Sequence, residues 1–130
     1  MDDWDITLAR LRRAFLDRVP SLADDASNAL EGLAIDASSR DSLLALRLAF
    51  HKFAGSGGTY GFTALAATAT EAEKRCLLHL EAGSNPSAAD LDAWKHHIFL
   101  IRSEANDARD RLIVVPSGAE DSTEAPQTST

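Results

Sequence analysis

The sequence predicts an all-α fold, an antiparallel four-helix bundle with an additional N-terminal helix. Three observations predict it. Apolar residues recur at spacings of three and four along most of the chain, the spacing of one helix face. Leucine and alanine, both strong helix formers, must do most of the packing, because only 6% of the 130 residues are aromatic. No run of alternating β-branched residues suggests a strand. The length suits one domain, and a hydrophobic fraction of 45% is ordinary for a chain with a core.

The first helix is expected over Trp4 to Arg18, with Trp4, Leu8, Leu11 and Phe15 on one side and Asp2, Asp3 and Asp5 suiting the helix dipole at its start. Val19-Pro20-Ser21 interrupts it, and proline is well placed to open a second helix, about Pro20 to Ala34, that buries Leu22, Ala26, Leu30 and Leu33. A polar link, Asp36 to Asp41, offers Ser38, Ser39 or Asp41 as the cap of a third helix. That helix carries Leu43, Leu46, Phe50 and Phe53, runs into a glycine-rich stretch and ends by Tyr60-Gly61. The fourth starts near Phe62 and carries Leu65, Ala69, Ala72, Cys76 and Leu80 until Gly83 to Pro86 stops it. The fifth, about Ser87 to Ile113, has a near-heptad seam of Leu91, Trp94, Ile98, Ile101, Ala105, Ala108 and Leu112. Short links between amphipathic helices make an antiparallel bundle. The expected organisation is an N-terminal helix over 1–19 packing across one end, a four-helix bundle over 20–113, and a disordered acidic tail over 114–130, rich in Ser, Thr, Glu and Pro.

The net charge of −7 argues against nucleic acid or an anionic membrane as a partner. No segment approaches the ~20 apolar residues of a membrane span, and the acidic Met1-Asp2-Asp3-Trp4 is unlike a signal peptide. A lone cysteine, Cys76, has no internal partner, so a reducing cytoplasm and a monomer are expected. Its place on an apolar stripe gives Cys76 a packing role.

The most informative stretch is Phe50-His51-Lys52-Phe53-Ala54-Gly55-Ser56-Gly57-Gly58-Thr59-Tyr60-Gly61-Phe62. A helical side chain lies over the turn N-terminal to its own Cα, so residue 55 sits over the His51 imidazole. Glycine inside a helix costs about 1 kcal/mol relative to alanine, and access to His51 is the reason for it here. Imidazole Nε2 is a good nucleophile toward phosphorus, and a reference pKa of about 6.5 leaves an exposed histidine mostly neutral near pH 7. Arg47, one turn before His51, and Lys52 beside it are candidates to offset an incoming phosphoryl charge. Leu44 and Leu48 lie two turns and one turn before His51, either as core edge or as apolar contacts for a docking partner.

With His51, Gly55, Ser56 and Gly61-Phe62, the chain resembles the histidine-containing phosphotransfer (HPt) family, over roughly Leu43 to Cys76 by motif. The resemblance implies a four-helix bundle whose His51 accepts a phosphoryl group from an aspartyl phosphate and passes it on. It implies response-regulator receiver domains and a hybrid histidine kinase as partners, no cofactor or metal, and no kinase activity. Gly55, Lys52 and Arg47 would support His51, and Leu44, Leu48, Ala54 and Gly58 would meet the receiver. Ala54 stands where the family often has lysine, and Lys52, about 200° around the helix from it, is no simple substitute. Two readings follow: a phosphorelay carrier, or a non-catalytic module that binds or sequesters receivers.

Other features read blandly. The glycine stretch lacks the Gly-Lys-Ser/Thr ending of a phosphate loop and no βαβ pattern surrounds it. His79, His96 and His97 have no partners at metal-ligand spacing and are expected to be surface or edge groups.

Overall fold

The computed structural model describes residues 2–114, with side chains to Leu112, and the tail expected over 114–130 lies almost wholly outside the described residues. Four helices and no strand make up this part: α1 Asp3–Ile35, α2 Arg40–Thr59, α3 Thr63–Ala82 and α4 Ala88–Val114. Each packs on its neighbours in sequence, and α1 closes the ring on α4. Trp94, Phe15, Phe50 and Phe53 are fully buried and fill the centre, with Leu16, Leu33, Leu43, Leu46, Leu65 and Ile101 around them.

The separate helix expected over 1–19 and the one expected from Pro20 are a single 33-residue helix, with Pro20 in its interior. An interior proline costs about 3 kcal/mol, because it removes one N–H and crowds the carbonyl four residues back. That carbonyl belongs to Leu16. Arg109 of α4 donates to it from Nη2 at 2.8 Å, and from Nη1 to Asp17 Oδ1 at 2.7 Å. The freed acceptor is therefore satisfied from outside the helix. Burial continues without a break through Phe15, Leu16, Val19, Ala23, Ala26, Leu30 and Leu33, which holds the helix together across the proline.

The N-terminal helix does not pack across one end either. Of its expected stripe only Phe15 is buried, and Trp4 and Leu11 are exposed. At its start Asp2 caps the helix by accepting from the Asp5 N–H at 2.9 Å.

The links explain the tight hairpins. Ser39 proves to be the cap of α2, accepting from the Ser42 N–H at 3.2 Å, while Asp36 closes the turn by accepting from the Ser38 N–H and hydroxyl. The glycine stretch stays helical to Thr59. Gly57 faces α3, where an added Cβ would meet the Leu65 side chain at 3.0 Å, so this glycine lets the two helices approach. Gly61, with φ +84°, makes the reversal into α3. Arg12 Nε donates to the Tyr60 carbonyl at 2.8 Å, and Phe15 stacks on Phe62 at 5.7 Å, so α1 grips this turn. Gly83, with φ +66°, ends α3, and Ser87 and Asp90 form a reciprocal capping box at the start of α4.

Candidate functional site

Leu44, Leu48, His51, Gly55 and Gly58 follow one another on α2 at spacings of four, three, four and three, and all five are exposed. This line is the outer face of the helix, opposite the buried Leu43, Leu46, Phe50 and Phe53. An added Cβ at Gly55 or Gly58 would meet nothing within 4 Å, so the face is flat on the C-terminal side of His51. On the N-terminal side it is apolar, with Leu44 52% and Leu48 47% exposed.

The His51 side chain is 58% exposed, yet it is not free to turn. Its Nδ1 lies 2.9 Å from Oε2 of Glu73 on α3. The same oxygen lies 2.9 Å from Arg47 Nε. The Arg47 N–H is not aligned for a hydrogen bond, so that contact is an ion pair. An ionised carboxylate only accepts, so Nδ1 must carry the proton. In the neutral ring the lone pair then sits on Nε2, which has no hydrogen-bond partner among the described residues. The two nitrogens are thus divided, one held and one open.

The Hpt domain family model matches residues 10–110. The chain belongs to the Hpt domain family. Comparisons with curated proteins and with solved structures give no match. Hpt domains serve phosphotransfer in two-component signalling and are carriers rather than kinases. The helical bundle accords with the family, and among the described residues no helix is long and apolar enough to cross a membrane.

The residues expected around the histidine of this Hpt domain divide between two sides of α2. Arg47 and the half-buried Ala54 are seven residues apart, close to two full turns, and so lie on the α3 side. Lys52 lies on the α1 side, lining an open groove with Leu22, Asp25, Ala45 and Leu48. The position of the missing lysine is therefore on the same side as Arg47, whose charge is already shared with Glu73.

Glu73 is the residue that sequence reasoning missed. Its signal was the register of the hairpin. Gly57 meets Leu65 and Ala66 across the Gly61 turn, so counting six residues back along α2 and forward along α3 brings His51 level with residues 71 and 72, beside Glu73.

The remaining histidines are partly as expected. His96 is exposed and stacks on Phe99 at 6.4 Å. His97 is half-buried, and burial pulls its pKa below the usual value. His79 is an edge group: it is 18% exposed, with Nδ1 2.7 Å from Ser84 Oγ and Nε2 2.8 Å from Asp90 Oδ2. Cys76 is buried on the α3 stripe, and burial pushes its thiol up to about 12, which leaves it unreactive. No group of three or more acidic, histidine or cysteine side chains that could hold a metal occurs among the described residues.

Proposed function

We propose that the chain is a phosphorelay carrier whose His51 takes a phosphoryl group from the aspartyl phosphate of a receiver domain and hands it to another receiver. The donor receiver belongs to a response regulator or to a hybrid histidine kinase. The observation that carries this reading is the divided imidazole, with Nδ1 held by Glu73 and Nε2 turned to an uncrowded surface.

In the forward step the Nε2 lone pair forms a bond to phosphorus as the acyl P–O bond breaks, and that electron pair leaves on the receiver carboxylate. The Nδ1 proton stays in its hydrogen bond. The ring gains positive charge, and the Glu73 carboxylate meets it. Passing the group on reverses these events. Glu73 thus orients the ring and stabilises its charged form, and Arg47 holds Glu73 in place.

Leu44 and Leu48 supply apolar contact for a docking receiver, while Gly55, Gly58 and the small Ala54 let its phosphorylated carboxylate come close. Lys52, on the other flank, is placed to attract the negatively charged phosphoryl group. The setting of these reactions is the cytoplasm, where receivers work.

A brief incubation with a phosphorylated receiver tests the reading. Acid-labile, base-stable phosphate should appear on this chain and be lost in His51→Gln. Tight receiver binding without label would replace the carrier by a sequestering module, and label that survives His51→Gln would move the acceptor elsewhere.

A further inference from the structure

The first part of α1 carries an apolar line that no described residue covers. Trp4 is 64% exposed, Leu11 is 40% exposed and Leu8 is half-buried. They continue the line of Phe15, which is fully buried. The cause is a mismatch of lengths. The α2–α3 turn meets α1 at Arg12 and Phe15, through the Tyr60 carbonyl and the Phe62 ring. From there α1 runs on to Asp3, an overhang of about 14 Å at 1.5 Å per residue. Trp, Leu and Leu at successive turns on an overhang form a face made for packing.

The charges on the overhang say what packs there. Asp2, Asp3 and Asp5 occupy its start, and Arg10, Arg12 and Arg13 its base, with no acid from Ile6 to Ala14 and no basic residue before Arg10. A parallel copy would be repelled and an antiparallel one attracted. At about 100° per residue, Asp3 and Arg10 flank the apolar line on one side, and Asp5 and Arg12 on the other. A two-fold axis between Thr7 and Leu8 brings Trp4 level with Leu11, twice over, and sets each flank against the same flank of the other copy. On one flank Asp3 then lies about two residues, or about 3 Å along the axis, from level with Arg10, and on the other Asp5 lies as far from level with Arg12, offsets that these side chains span.

We propose that the α1 overhang pairs with that of a second copy of this chain, antiparallel, through Trp4, Leu8 and Leu11. Three apolar side chains per copy make a small contact, at the weak end of interfaces below about 1,200 Å² in total, so the dimer is transient and depends on concentration. This departs from the monomer expected from the sequence. It does not depend on phosphotransfer, because His51 lies on the opposite side of the α2–α3 turn from the overhang and stays open in the pair.

Sedimentation velocity and tryptophan emission of the full 130-residue chain over a concentration series test the pairing. The parent should sediment faster as concentration rises, and Trp4 emission should shift to the blue, because Trp94 is buried at all concentrations. Asp3→Arg and Arg10→Asp should each lose association alone, since each sets like charges together. Mixed in equal amounts, the two variants complement one another and association should return. A parent that stays monomeric to about 1 mM overturns the proposal. So does a mixture no better than its components. A Trp4 already shielded in the monomer overturns it as well, and would give the overhang to the residues after Val114.

Discussion

Two trios of the same chemistry join α3 to a neighbouring helix, and only one has the makings of a site. His51, Glu73 and Arg47 form the first, and His79, Asp90 and Arg75 the second. Each sets an imidazole and a guanidinium on one carboxylate, at 2.7 to 2.9 Å. The difference lies in the second ring nitrogen. In His79 it is bonded to Ser84, and the ring edge faces Trp94, so the trio ties α3 to the start of α4. In His51 it is open. A histidine–carboxylate–arginine trio is thus structural when both nitrogens are occupied, and chemically available when one is left out in front of a glycine.

Substituting the two histidines gives the largest contrast. His51→Gln should abolish label uptake from a phosphorylated receiver and leave the melting temperature nearly unchanged, since the side chain is more than half exposed. His79→Gln should do the reverse. It leaves Asp90 short of a partner, at a cost of about 1–3 kcal/mol in stability, with label uptake intact. Label lost in His79→Gln at full folding would erase the distinction between the trios.

Next in size is the glycine. Gly55→Leu puts a side chain leaning back over His51 into space that is empty, so transfer should fall severely. The fold should not suffer, because leucine exceeds glycine in helix propensity by roughly 0.7 kcal/mol. Opposite signs for melting and for transfer rate are the signature. A variant that transfers at the parental rate would show that the open nitrogen needs no clear approach.

Glu73 tests the held nitrogen. Glutamine can still accept from Nδ1–H, but it brings no charge to stabilise the ring as phosphorus arrives. The loss is that of a charge-assisted hydrogen bond, about 1.5 kcal/mol, or about tenfold in rate. Because the residue acts through His51, the pH profile of transfer should shift along with the rate. An unchanged rate and profile would mean that the ring is oriented without Glu73.

How far these features were legible depends on whether they are local. The α2 stripe, the Gly61 reversal, the stop at Gly83 and the seam of α4 are written in neighbouring residues, and the structure has them where the periodicity puts them. Pro20 misled because its local meaning is a helix break, and the group that offsets it, Arg109, is 89 residues away. The exposed Trp4 and Leu11 misled in the opposite way: their spacing is that of a packing face, but the hairpin they would pack on ends at Phe62. His51 was singled out by the whole glycine-rich stretch that follows it, and the structure has it exposed on α2. Glu73 and Asp90 were not, since a carboxylate joins a histidine on another turn or helix only once the hairpin register is set.

The smallest effect is the response of the second trio to acid. Burial pushes the Asp90 carboxyl up, but the Ser87 N–H and hydroxyl, Arg75 and His79 outweigh it and hold the pKa at about 2, against a usual 3.8. A carboxylate whose pKa is lowered by folding adds stability above its unfolded value, and that stability drains as pH falls through the folded one. The advantage of the parent over Asp90→Asn should therefore be complete above about pH 4 and fade as the pH falls toward about 2. Urea unfolding of both proteins at a series of pH values measures it, as the difference in midpoint at equal slope. A difference for Asp90→Asn that stayed constant down to pH 2 would mean that its hydrogen bonds are no stronger to the charged form than to the neutral one.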